Sequence, residues 1–123
     1  MKILLVEDSE TLRLSNARAL VEAGHDVTRA DDCDSALQTA RGQSPDLILL
    51  DLIVSKSSEL EVLTRLKHRR NTARIPVIAL SALSEKKCHK LLDTGMEDYV
   101  DKRAIVSKGG MNRLPQLLER REG

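Results

Sequence analysis

Residues 47–51 read Leu47-Ile48-Leu49-Leu50-Asp51, four apolar side chains in succession and then an acid. A short apolar run with no polar alternation suits a strand covered on both faces, as in the parallel sheet of an α/β fold. Two further runs have the same character, Ile3-Leu4-Leu5-Val6 and Val77-Ile78-Ala79-Leu80. Weaker candidates lie at 26–30 and 98–101, and their lower apolarity suits the edges of a sheet.

Helical patterns separate these runs. Residues 10–23 place Leu12, Ala19, Leu20 and Ala23 on one face, with Ser9 as a candidate N-cap and Gly24 past the end. Residues 33–41 carry Ala36, Leu37 and Ala40, and residues 58–69 carry Leu60, Leu63 and Leu66 at helical spacing. A fourth helix is expected at 85–94, after Ser84, with Leu91 and Leu92, ending at Gly95. The last is expected at 113–121, with Leu114, Leu117 and Leu118 inward and Pro115 in its first turn, where a missing N–H costs little. The resulting βαβαβαβαβα order predicts a doubly wound, flavodoxin-like parallel sheet with strand order 2-1-3-4-5.

The chain of 123 residues fits one domain spanning 1–123, with no output domain. Apolar residues make up 41% and charged residues 32%, an ordinary globular balance. A net charge of +1, and Tyr99 as the single aromatic, argue against direct nucleic-acid binding, since neither a basic footprint nor a stacking platform is present. No apolar run approaches the roughly 20 residues of a membrane helix. The four apolar residues before Glu7 are too few for a signal peptide, so a cytoplasmic location is expected. Cys33 and Cys88 form no CxxC pair and read as structural thiols.

Ligands of such sheets bind beyond the carboxyl ends of the strands. The residues that follow the strands are Glu7 and Asp8, Asp51, Ser81 and Lys102. Three crowded carboxylates repel one another without a cation, and oxygen-only ligands suit Mg2+. Asp8 and Asp51 are expected to hold it, with Glu7 acting directly or through water. Lys102 and Ser81 would hold phosphoryl oxygens, and Asp51 would be the nucleophile that becomes an aspartyl phosphate. Each residue taken singly has a plainer reading, as a helix cap, a loop acid, a turn hydroxyl or a solvated lysine. Their joint placement after four strands carries the inference.

These residues resemble the receiver domain of bacterial response regulators over essentially the whole chain. The resemblance rests on Lys2-Ile3-Leu4-Leu5-Val6-Glu7-Asp8-Ser9, Pro45-Asp46-Leu47-Ile48-Leu49-Leu50-Asp51-Leu52, Ile75-Pro76-Val77-Ile78-Ala79-Leu80-Ser81-Ala82 and Gly95-Met96-Glu97-Asp98-Tyr99-Val100-Asp101-Lys102. It implies that Glu7 and Asp8 are the acidic pair, Asp51 the phosphoacceptor, and the Ile53 backbone carbonyl a further Mg2+ ligand. It also implies that Ser81 and Tyr99 are the switch hydroxyl and switch aromatic. The phosphodonor would be a histidine kinase, a phosphotransfer protein or a small molecule such as acetyl phosphate. Downstream proteins would dock on the fourth helix, fifth strand and fifth helix. Such a domain promotes its own phosphorylation and dephosphorylation and is otherwise not an enzyme.

The sequence departs from the family pattern in two places. The family commonly has Met-Pro and then Asp-Gly after the phosphoacceptor, and here the matching positions are Val54, Ser55, Ser58 and Glu59. The residue after Lys102 is Arg103 where the family usually has proline, often with a cis peptide. A cis bond to a residue other than proline costs about 3–4 kcal/mol, so a trans bond is expected. The segment 103–112 looks longer and more irregular than usual, which is expected to remodel the partner face.

Two other readings stand beside the switch. One is a receiver-like protein-interaction module acting independently of phosphorylation, favoured by the altered loop and missing proline and opposed by the intact acidic set. The other is a flavin or dinucleotide carrier, which would want a glycine-rich first loop where this chain has Glu7-Asp8-Ser9-Glu10.

Ile53 and Leu83 occupy the positions that govern water access to the phosphoryl group in the family, and neither can orient an attacking water. Slow self-dephosphorylation is predicted. Polar substitutions at both positions should speed the decay of the phosphorylated protein; an unchanged decay rate would count against the reading.

Overall fold

A computed structural model describes residues 1–7, 10–52, 58–81, 98–106 and 110–122, with side chains at 1–7, 14–32, 34–51, 63–80, 98–106 and 110–119. Five strands appear where the apolar runs predict them: β1 (Lys2–Val6), β2 (Asp26–Ala30), β3 (Leu47–Leu52), β4 (Val77–Ser81) and β5 (Asp98–Asp101). All neighbours pair in parallel, in the order β2-β1-β3-β4-β5. The two weakly apolar strands are the edges, where one side of the ladder faces no partner strand and burial is lower.

Four helices are described: α1 (Glu10–Glu22), α2 (Cys33–Gln43), α3 (Ser58–Lys67) and α4 (Leu114–Glu122). Here α4 is the last of the five expected helices. The one expected at 85–94 lies outside the described residues, as do Ser9, Ser84 and Gly95. The helix ends follow local chemistry. Asp32 caps α2 by accepting from Ser35 N–H at 2.8 Å. Ser44 ends that helix in a left-handed conformation, φ 48°, and donates its N–H to the Ala40 carbonyl. Gly24, at φ 96°, makes the corresponding stop after α1, where a Cβ would be strained.

The sheet separates two cores. On one side Leu4, Val6, Ile48, Leu50, Val77 and Ala79 pack with residues of α2 and α3. On the other, Ile3, Leu5, Leu49, Leu80 and Val100 pack with α1, α4 and Ile105. The expected inward faces of α2 (Ala36, Leu37, Ala40) and α4 (Leu114, Leu118) are buried, and Leu117 is half-buried.

The expected face of α1 requires correction. Leu20 is buried, but Ala19 is half-buried and Ala23 exposed, while Asn16 and Ala17 are inside. The helix is rotated from the sequence reading because a polar residue occupies an inward position. Asn16 is 5% exposed, and its side-chain carbonyl accepts from Asn112 Nδ2 at 2.8 Å. Satisfying that amide removes most of the cost of burying it.

Two local bonds set the frame for the strand ends. Lys2 N–H donates to the Asp46 carboxylate at 2.8 Å, and Asp46 N–H donates to the Lys2 carbonyl at 2.8 Å. This reciprocal pair fixes where β3 starts beside β1. Between α3 and β4, the Thr72 hydroxyl, 1% exposed, donates to the Leu66 carbonyl at 2.7 Å, and Lys67 Nζ donates to the Ala73 and Ile75 carbonyls.

Thr72→Val keeps the shape but leaves the Leu66 carbonyl without that donor. It should destabilise the fold by about 1–2 kcal/mol in urea titrations, and an unchanged midpoint would show that the bond contributes nothing.

Candidate functional site

The parallel register brings the sequence-predicted residues to one rim. Val6 pairs with Leu50, so Glu7 and Asp51, each one residue further, stand side by side at the carboxyl ends of β1 and β3. Both carboxylates are buried, Glu7 at 1% and Asp51 at 3% exposure. Leu52 pairs with Ser81, and Ser81 pairs with Asp101, so the backbone of Ser81 lies at the same rim with Lys102 just beyond the end of β5. The Ser81 side chain, Asp8 and Ile53 lie outside the described side chains.

Lys102 reaches across β4 to form an ion pair with Asp51. Its side chain is 23% exposed, so its aliphatic stem is mostly covered while its charge meets the buried acid. Neither Asp51 carboxylate oxygen has a hydrogen-bond partner among the described residues beyond that pairing.

The backbone that carries Lys102 is fixed on both sides. Lys102–Ala104 forms a 3₁₀ turn whose N-cap is Asp101, and Ile105 N–H donates to the Lys102 carbonyl. Ile105, 5% exposed, sits in the core beneath α1 and α4. Arg113 N–H then donates to the Ile105 carbonyl at 2.6 Å, and Val106 bridges to Asn112. Asn112 caps α4 through Leu114 N–H while holding Asn16 and Ser15 of α1. The Lys102–Arg103 peptide is trans, as expected for a residue other than proline.

Arg103 binds Asp101 through a two-pronged pair. Its Nε donates to one carboxylate oxygen and its Nη2 to the other, both at 2.9 Å, and its backbone N–H adds a third bond at 2.9 Å. The side-chain hydrogen bond of Arg103, and next its backbone N–H, hold the Asp101 carboxyl below the usual carboxylate range. Sequence reading missed this pair and the Asn16–Asn112 amide contact. The Asp-Lys-Arg spacing was visible, but nothing in it says that the flanking residues pair around the lysine.

Tyr99 follows the same register. It pairs with Ala79 across the ladder, is half-buried, and packs against the core cluster beside α2 and α3.

The donor chemistry suits a hard divalent cation. Two buried carboxylates stand at one rim, and the Asp51 oxygens accept no hydrogen bond among the described residues beyond the Lys102 pairing. Among the described residues no cluster of three or more His, Cys, Asp or Glu side chains is present. Glu7 and Asp51 are the two described members of the expected set.

A model of the response regulator receiver domain matches residues 3–108. The chain belongs to that family. It is 35% identical over 102 residues to the phosphate regulon transcriptional regulatory protein PhoB of Escherichia coli, a match covering 82% of this chain and 44% of that protein. It is 34% identical over 102 residues to the alkaline phosphatase synthesis transcriptional regulatory protein PhoP of Bacillus subtilis, covering 82% of this chain and 42% of that protein. The receiver thus spans under half the length of these relatives. Among solved structures, the receiver domain of a sensor histidine kinase from Pseudomonas aeruginosa has a TM-score of 0.79 and 28% identity, covering 97% of this chain and 94% of its own. That structure holds a magnesium ion in its active site cleft. The chemotaxis protein CheY4 of Vibrio cholerae shares the fold, with a TM-score of 0.80, 23% identity and coverage of 97% and 96%.

The chain is therefore a receiver domain of the two-component type, a class of phosphorylation-dependent switches rather than conventional enzymes. No described helix is long and apolar enough to cross a membrane.

Removing one of two adjacent buried carboxylates relieves their repulsion. In EDTA, Asp51→Asn should raise stability by about 1 kcal/mol, roughly 4 °C in Tm for a domain of this size. Mg2+ should raise the Tm of the unsubstituted protein more than that of the variant. A lower Tm for Asp51→Asn in EDTA would contradict this account of the rim.

Proposed function

We propose that Asp51 accepts the phosphoryl group and that Glu7, Asp8, the Ile53 carbonyl, Ser81 and Lys102 complete the site. One observation carries the reading: a buried acid at the end of the central strand, paired with a lysine from the end of β5 and adjacent to a second buried acid. In the transfer, an Asp51 carboxylate oxygen attacks phosphorus of a phosphohistidine or of acetyl phosphate. The bond from phosphorus to the donor nitrogen or oxygen breaks, and its electrons leave with the imidazole or the acetate. The product is an acyl phosphate on Asp51.

The chain's own groups have distinct tasks. Lys102 neutralises Asp51 before transfer and follows the charge onto a phosphoryl oxygen afterwards. Ser81, whose backbone borders both β3 and β5, supplies a hydroxyl to a second phosphoryl oxygen. Glu7, Asp8, Asp51 and the Ile53 carbonyl would hold Mg2+, which supplies charge neutralisation for the incoming phosphoryl oxygens. Tyr99, half-buried on the edge strand, reports the change to a face that includes β5 and α4, where a downstream protein docks. The same site hydrolyses its own acyl phosphate, slowly. Its setting is cytoplasmic, and its direct partners are proteins rather than nucleic acid or membrane.

Intact-protein mass after incubation with acetyl phosphate and Mg2+ tests the reading. One phosphoryl adduct is expected, absent in Asp51→Asn and absent with EDTA. An adduct that survives Asp51→Asn would displace the assignment. Absence of an adduct with both acetyl phosphate and a phosphorylated histidine kinase would favour the phosphorylation-independent interaction module.

A further inference from the structure

We propose that Arg103 is a positioning residue that occupies the Asp101 carboxylate and so keeps Lys102 paired with Asp51. The proposal rests on the reading of Lys102 and Asp51 given above, and it concerns a residue that takes no part in the transfer itself.

The argument starts from competition. Lys102 is preceded by Asp101, a carboxylate at the same rim and 42% exposed in its side chain. The Lys102 ammonium sits on a flexible four-carbon stem and acts as a point charge, so its pairing with Asp51 is not enforced by a directional fork. Pairing with Asp51 takes that ammonium toward a 2% exposed side chain, which costs solvation. Pairing with Asp101 would cost less because that acid is open to water.

Arg103 removes the competitor. Its guanidinium fork matches both carboxylate oxygens of Asp101, with Nε on one and Nη2 on the other at 2.9 Å. Its backbone N–H lies on the first of these oxygens, again at 2.9 Å. The pair closes over the 3₁₀ turn that bears Lys102, so the residues on either side of the lysine are bonded to each other. Lysine in place of arginine could not make both bonds to the carboxylate, and a proline would lack the N–H.

There is a second consequence. Asp101 pairs in register with Ser81, so its charge lies beside the strand end that faces the phosphoryl group. A bare carboxylate there would repel the incoming phosphoryl oxygens. With Arg103 bound, that position is close to neutral. The acidic charge of the rim is then concentrated on the residues that face the nucleophile.

The charge-pair logic makes a prediction that a merely structural brace would not share. Arg103→Ala frees Asp101 to attract Lys102, so phosphorylation by acetyl phosphate with Mg2+ should slow by about fivefold. Adding Asp101→Asn to that variant removes the competitor and should restore the rate, while Arg103→Lys should be intermediate. If the pair only braced the turn, the double variant would be no faster than Arg103→Ala. The partner of Lys102 is read separately from the NMR signals of its Cε and Nζ. In the unsubstituted protein these signals should respond to Asp51→Asn and hardly to Asp101→Asn. In the Arg103→Ala background they should respond to Asp101→Asn. Lys102 signals that stay indifferent to Asp101→Asn in that background would overturn the proposal, even if Asp51 were never phosphorylated. Phosphorylation failing in the unsubstituted protein would instead count against the phosphoacceptor reading alone.

Discussion

Two carboxylates buried next to each other constrain everything at the carboxyl rim of this sheet. Glu7 and Asp51 follow strands held in parallel register, so the backbone leaves them no freedom to separate. Like charges at such spacing in a protein interior cost several kcal/mol unless compensated. Lys102 compensates Asp51, and this side chain must be delivered from β5 across β4. A long lysine does that only if its backbone is placed. The 3₁₀ turn, the buried Ile105 and the Arg113 bond to its carbonyl supply that placement. The Asn112–Asn16 contact extends the support to α1. Residues nearly a hundred positions apart are thus tied to one charge pair.

The fold was legible because burial on both faces of a parallel sheet demands uninterrupted apolar runs. The 47–50 run, and those at 3–6 and 77–80, could be little else in a chain of this composition. Their lengths and order also placed the polar residues that follow them, so Glu7, Asp51 and Lys102 were locatable before any contact was known. The weak runs became edges for the same reason, since an edge strand has less surface to hide.

What escaped the sequence depends on partners distant in the chain. Asn16 looks like a surface residue of α1 because its satisfaction comes from Asn112, 96 residues away. Apolar spacing alone set the helix face through Ala19 and Ala23, which are not buried. Thr72 is similar: its hydroxyl is inside because the Leu66 carbonyl accepts from it. Apolar periodicity detects transfer free energy and is blind to a buried polar group that a specific hydrogen bond has satisfied. Arg103 escaped for another reason. A family pattern frames it as a missing proline, whereas its side chain makes a contact that proline cannot.

The edge position of β5 bears on how a change at Asp51 could travel. Along that strand Tyr99 packs toward the core beside α2 and α3, and Val100 toward the core beside α1 and α4. Val100 is 1% exposed, so its side of the strand is committed to the packed core. Tyr99 is only half-buried, and moving it disrupts less packing than moving any central-strand residue would. On the proposed reading, a phosphoryl group at Asp51 takes Lys102 as its counter-ion and redistributes charge at the ends of β4 and β5. The inner strands, locked on both faces, transmit little of that change. The edge strand has one neighbouring strand and carries a half-buried aromatic side chain, so the response concentrates there.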